Sequence, residues 1–386
     1  MKNDFEFIKA SESLKQKTLE RAKNEKINEK TRNIRFVPSL IAACMTLIIG
    51  FGALAATGAF NNLVKPRPPL FDDRAPEFIK PSYDSEDDCY LFITAKDELR
   101  GTKVNDNTRF TEFLFERKTR YNIEGDNAWG LNPENRVRVY VKNKDSEPVS
   151  GVTVTALSQN LTALFTAKTD NSGCAYLFAE NIECIGVSDG EHSSVFLKTD
   201  NEMTLTFDGE KSTSLDIMFA FSGSKTELNY LKRNLDLSEV PADTRYSALY
   251  VGGESAGFTY EVSEFRNRIS AINSKKSDLD VILDTAVSAD WRSGAVKLLF
   301  LVVDSSSGEK EKIRRAVLKA ARNGIRIIPV FCEKTGSIEM FRTCAVLTGG
   351  ECIILVDSTN ATPLYEKYEI KNLKDLINEV IKDYTE

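Results

Sequence analysis

The sequence predicts a multidomain protein. An N-terminal helix and a single transmembrane helix precede a small antiparallel β-sandwich and a C-terminal α/β domain with a doubly wound parallel sheet. Three observations carry that expectation. Residues 36–60 contain no Asp, Glu, Lys, Arg or His. Residues 136–207 alternate apolar and polar side chains between turn signals. Beyond residue 212, short apolar runs alternate with amphipathic stretches. At 386 residues and 41% hydrophobic, the chain can form two or more cores.

Residues 1–35 hold ten Lys and Arg against six Asp and Glu. Within them, residues 5–30 read as a solvated basic helix with too few apolar positions for a continuous buried face. Residues 36–60 are long enough, at about 1.5 Å per residue, to cross the roughly 30 Å of bilayer hydrocarbon. Six cations lie in the fifteen residues before this stretch and three in the fifteen after it. The positive-inside rule then places 1–35 in the cytoplasm and the rest outside, anchored in the cell membrane. A cleaved signal peptide ending near Ala53-Leu54-Ala55 is the rival reading and exports the same residues. Residues 61–88 hold Pro66, Pro68, Pro69, Pro76 and Pro81 and read as an extended linker.

The net charge is −6, and with +4 on residues 1–35 the remainder carries −10, which argues against nucleic acid as a partner. Of seven cysteines, Cys44 falls in the apolar stretch. Cys89, Cys174, Cys184, Cys332, Cys344 and Cys352 remain, an even number that permits disulfides in an oxidising compartment; the other reading is small buried hydrophobes.

Residues 89–211 are assigned to the sandwich. CYLFITA and RFTEFLFER are read as strand-like. In RVRVYVK, Val137, Val139 and Val141 alternate with polar residues, and Val152, Val154 and Ala156 repeat the device after a turn. TALFTAK, CAYLFA, SSVFLK and MTLTF complete the set. Thr169-Asp170-Asn171-Ser172-Gly173-Cys174-Ala175-Tyr176-Leu177-Phe178, with Pro148 and Gly151 before it, resembles the carboxypeptidase-regulatory-like and immunoglobulin-like families.

Residues 212–386 form the α/β domain. LDIMFAF, TRYSALYVGG, AVKLLFLVVD, IRIIPVF and ECIILV read as strands. TELNYLKRNLDL, VSEFRNRISAI, DLDVILDTAVSA, EKEKIRRAVLKAARNG, SIEMFRTCAVLTG and NLKDLINEVIKDY read as helices. Leu215-Asp216-Ile217-Met218-Phe219, Leu228-Asn229-Tyr230-Leu231-Lys232, the run from Asp290 to Asp304, Ile325 to Phe331, and Leu347-Thr348-Gly349-Gly350-Glu351 together resemble a von Willebrand factor type A domain of the form common in bacterial surface proteins. That resemblance implies a metal-ion-dependent adhesion site at the C-terminal strand ends. Here the loop reads Ser222-Gly223-Ser224-Lys225, with no Asp, and the later loop brings Lys275 and Lys276. Only Ser222, Ser224 and Asp304 remain of the family's ligands, so no Mg²⁺ or Ca²⁺, and no other cofactor, is expected. Lys225, Lys275 and Lys276 are read either as an anion-facing rim or as solvated side chains.

No catalytic residue is assigned. His192, the one histidine, sits in the turn Asp189-Gly190-Glu191-His192-Ser193, and no phosphate-binding glycine motif occurs. The expected function is a non-enzymatic, membrane-anchored protein that binds an extracytoplasmic protein partner. Two alternatives stand beside it: a receptor relaying outer binding to a cytoplasmic partner of residues 1–35, and a metal-dependent adhesin completed by Asp216 or Glu227 with Asp304.

Overall fold

The computed structural model describes residues 100–385, apart from 211, 223–236, 238–239, 250–254, 272–277, 304–306, 333–336 and 357–367. The described chain begins with β1 (Arg100–Val104) and α1 (Phe110–Arg120). Seven strands follow: β2 (Arg136–Lys142), β3 (Thr153–Leu157), β4 (Ala163–Lys168), β5 (Cys174–Phe178), β6 (Cys184–Ser188), β7 (Ser193–Leu197) and β8 (Glu202–Thr206). The C-terminal half runs β9 (Leu215–Phe221), β10 (Thr244–Leu249), β11 (Ser255–Thr259), α2 (Val262–Ala271), α3 (Leu279–Val287), β12 (Val296–Val302) and α4 (Lys310–Asn323). It ends with β13 (Ile325–Cys332), α5 (Ile338–Thr348), β14 (Cys352–Leu355), β15 (Lys371–Asn372) and α6 (Leu373–Thr385).

The expected fold class is corrected on three points. No helix among the described residues is long and apolar enough to cross a membrane, and the stretch 36–60 lies outside them. The large sheet is mixed. Its order is β11-β10-β9-β12-β13-β14-β1-β15, with five parallel strands in the middle, β11 antiparallel at one edge and β1 antiparallel to β14 at the other. The sandwich is mixed as well: β5-β2-β8 pairs β2 with β8 in parallel, while β4-β3-β6-β7 is antiparallel throughout.

The N-terminal boundary of the sandwich is corrected with it. β1 belongs to the large sheet, and RFTEFLFER is a helix. Phe110, Phe113, Leu114 and Arg117 fall at i, i+3, i+4 and i+7, one helical face, with Phe113 and Arg117 fully buried. Phe115 points away and is 65% exposed. The apparent strand texture came from phenylalanines that sit on two different faces. CYLFITA lies outside the described residues.

Two cores lie on the two faces of the large sheet. On one, Leu215, Ile217, Phe219, Leu298 and Phe300 pack beneath Phe265 of α2 and Leu376, Ile377 and Val380 of α6, with Phe219 and Phe300 stacked at 4.8 Å. On the other, Met218, Ala220, Leu299, Leu301 and Ile327 meet α3, α4 and α5. That second core continues without a break into the sandwich through Phe165, Phe178, Leu177 and the valines of β2. The left-handed Gly324 (φ 70°) and Gly349 (φ 70°) close α4 and α5 and turn the chain directly into the next segment.

A candidate anion cleft between the two lobes

The sequence pointed to the C-terminal ends of β9 and β12. These strands are neighbours, and the strands that follow them, β10 and β13, lie to opposite sides of the pair. Ser222, just after β9, is buried, and its N–H donates to the Val302 carbonyl at 2.9 Å. Ser224, Lys225, Glu227, Lys275, Lys276 and Asp304 lie outside the described residues. Asp216 is at the other end of β9 and is saturated there. It accepts from Arg245 Nε (3.0 Å) and Nη2 (2.7 Å), and from Arg292 N (2.9 Å) and Nε (2.9 Å). A carboxylate committed to two guanidiniums at the opposite strand end cannot complete a site with Asp304. Among the described residues no cluster of three His, Cys, Asp or Glu could hold a metal. His192 is exposed in its turn, with Nδ1 3.2 Å from Asp189.

Cys174, Cys184, Cys332, Cys344 and Cys352 are free thiols, all but Cys184 buried; Cys89 lies outside the described residues. Burial pushes the Cys174 thiol up to about 11 and raises those of Cys344 and Cys352 as well, so these three pack as small hydrophobes.

A different, shallow cleft opens where the sandwich meets the lower end of the large sheet. Ser150, Lys168, Asp170 and Ser212 line it from the sandwich side, and Gly294, Lys297, Gly324 and Arg326 from the other. Local sequence places each. Asp170 Oδ1 accepts from the N–H groups of Ser172 and Cys174 and from the Ser172 hydroxyl, fixing the turn after β4. Gly324 lets the end of α4 approach Lys168: a Cβ there would lie 2.9 Å from the Lys168 Cβ. Ser212 Oγ donates to the Gly294 carbonyl at 2.6 Å and ties the lobes together at the rim.

The charges are the unusual part. Lys297 and Arg326 are 5% and 3% exposed. Lys297 Nζ donates to the Asn323 carbonyl at 3.0 Å. Arg326 donates to the Thr348 carbonyl (2.8 Å) and to the Lys168 carbonyl (2.7 Å). Both buried cations are therefore held by neutral oxygens, and neither forms an ion pair with a described residue. The Lys168 ammonium likewise has no hydrogen bond or ion pair among the described residues. Burial lowers Lys297 to about 8, with Lys168 and Arg326 lowering it further against the opposing pull of Asp216. Burial also depresses Lys168.

Sequence reasoning passed over these residues although the signal was present. Lys297 interrupts the apolar run AVKLLFLVVD and Arg326 interrupts IRIIPVF. A cation inside a fully buried strand demands a partner.

No protein-family model matches the chain, and no curated protein does. Among solved structures, the chain is weakly similar to proximal thread matrix protein 1 from the mussel byssus, at 12% identity and a TM-score of 0.29, over 44% of this chain. The match spans 47% of that protein's length, and it carries no argument about fold or function here.

Proposed function

We propose that the protein is a non-enzymatic binding protein that takes an extended segment of a protein partner along the free edge of β7. The observation that carries this reading is the edge itself. Among the described residues β7 pairs only with β6, and its Val195 and Leu197 are 39% and 60% exposed. Register places Leu197 opposite Cys184 and Val195 opposite Gly186, with Leu157 next to Cys184 on β3. Those side chains share the outer face of the sheet and make one apolar strip, at an edge free of proline and charge. Sheet edges of this kind accept an added strand, the backbone supplying affinity and alternate side chains specificity. The order of the large sheet supports the type A resemblance, in which partner binding is the usual role. With β9 taken as first, strands β9 to β14 run third, second, first, fourth, fifth, sixth, and β1 and β15 extend the sheet beyond the sixth.

The test is site-specific photo-crosslinking of the full chain in the cell that makes it, with the probe at Val195 or Leu197. A discrete protein adduct is expected at both positions. It should persist when divalent cations are chelated and be lost in Ser193→Pro, which removes an N–H on the open side of β7, since the hydrogen-bonded positions toward β6 are the even-numbered ones. No adduct at either position would overturn the reading. Adducts that need Mg²⁺ or Ca²⁺ and vanish in Asp304→Ala would replace it with metal-dependent adhesion.

A further inference from the structure

We propose that the cleft between the lobes binds a small tetrahedral oxyanion of the phosphate class, held by Lys168, Lys297 and Arg326. The surroundings of these three cations, apart from the β7 edge, point to such a ligand. Two of them are more than nine-tenths buried, yet their hydrogen-bond partners among the described residues are backbone carbonyls. Buried charges in folded proteins are paired, because an isolated ion taken from water costs far more than a hydrogen bond to a carbonyl returns.

The nearby carboxylates do not supply the missing charge. Asp216, on the strand beside Lys297, is committed to Arg245 and Arg292. Asp170, the one carboxylate on the cleft wall, uses Oδ1 to fix its own turn and forms no ion pair with Lys168. An anion in the cleft would meet an ammonium from the sandwich, an ammonium and a guanidinium from the large sheet, and the Ser150 hydroxyl at the rim. Lysine and arginine in that combination suit a compact, multiply charged oxyanion, which offers several acceptor oxygens to converging donors. Since Lys168 belongs to one lobe and Lys297 to the other, the ligand would also neutralise like charges that repel across the seam.

Titration gives the site a signature. Lys297 loses its proton as pH passes about 8, with Lys168, Arg326 and Asp216 the charged groups acting on it. A bound anion favours the ammonium form. Affinity should therefore be highest below pH 8 and fall above it.

Calorimetry and thermal unfolding of the full chain, in chloride at matched ionic strength, provide the test. The probes are sulfate, inorganic phosphate and phenyl phosphate. Saturable binding with a rise in Tm is expected for at least one of the three. Lys168→Gln should weaken it at least tenfold, and Lys297→Met should abolish it in a protein that still folds. Sulfate does not titrate in this range, so its affinity should drop severalfold between pH 7 and pH 9.5. Inorganic phosphate binding more tightly than phenyl phosphate would assign the site to the free ion; the reverse would assign it to a phosphoryl group on a larger molecule. Absence of saturable binding for all three probes would overturn the proposal. So would binding that Lys168→Gln and Lys297→Met leave unchanged.

Discussion

Two buried ionisable residues act on stability from opposite sides of neutrality. Glu351 is 1% exposed, neither of its carboxylate oxygens has a hydrogen-bond partner among the described residues, and burial raises its pKa to about 8. The folded state holds that proton while the unfolded state, near 4.5, releases it, so stability falls as pH rises from about 4.5 to 8. Lys297 runs the other way. Its pKa is lowered from 10.5 to about 8, the unfolded chain binds the proton more tightly, and stability recovers as pH rises from about 8 to 10.5. The shifts correspond to penalties on the order of 5 kcal/mol for Glu351 and about 3 kcal/mol for Lys297. Their combined contribution is least favourable near pH 8. Urea unfolding from pH 5 to pH 10 should show Glu351→Gln more stable than the parent at pH 8, with the gap closing toward pH 5. Lys297→Met should also be more stable at pH 8, with its gap closing toward pH 10. Gaps that do not change with pH would contradict the assignments.

Arg342 and Arg117 are buried beside carboxylates, and the contrast is informative. Arg342 binds Asp106 through Nη2 (2.6 Å) and Nε (2.8 Å), and Glu116 through Nη1 (2.6 Å). Arg117 binds Glu339 at 2.7 Å, and Glu339 also accepts from Asn127 and Thr343. Removing one member leaves a buried charge without its partner. Arg342→Met should therefore cost about 3–5 kcal/mol by chemical denaturation. The exposed Lys144–Asp208 pair, at 3.1 Å, should show no measurable effect on substitution.

At the scale of elements, glycines decide how closely segments approach. Gly173 has φ 73°, and a Cβ there would lie 2.4 Å from the Val141 carbonyl oxygen. Gly350, after α5, would place a Cβ 2.1 Å from the Ile327 carbonyl oxygen. Backbone cannot yield as a flexible side chain does. Gly350→Ala should thus separate α5 from β13 and lower Tm more than Gly257→Ala, where a Cβ meets nothing within 4 Å. Equal Tm values for the two variants would show that the contact is relieved elsewhere. The Asp170-to-Gly173 turn was legible in the sequence because its chemistry is local. So were β2 and β3, through alternation, β4, β5, β7 and β8, as short runs between turn signals, and the buried strands β9, β12, β13 and β14, through their apolar runs. β6 was missed: CIGVS has a glycine where alternation needs a side chain, and only pairing with β3 and β7 defines it. β1 was missed for a related reason. Its partner β14 is some 250 residues away, and no local pattern encodes that contact. The cleft was hidden in the same way, since Lys168, Lys297 and Arg326 converge only once the two lobes dock.

At the scale of the molecule, the sandwich and the α/β lobe do not behave as beads on a string. Asp87–Glu386 forms one compact unit. The core on one face of the large sheet runs from Leu299 and Ile327, through Ile313, Val317 and Phe341, to Phe165 and Phe178 of the sandwich. α1 packs on α5 through the two buried arginine networks, so residues that precede the sandwich are clamped to an element that follows it. Neither lobe can unfold without exposing apolar side chains of the other, at about 1.5–3 kcal/mol for each large one. Calorimetry of the full chain should accordingly show one transition for residues 100–385, with hydrogen exchange reporting loss of protection in β2 and β12 together. Arg342→Met, which removes ion pairs to Asp106 and Glu116 and none to a sandwich strand, should lower the stability of both lobes equally. Two separated transitions, with the sandwich strands exchanging while β9 and β12 stay protected, would mean that the shared core is an interface between independent domains.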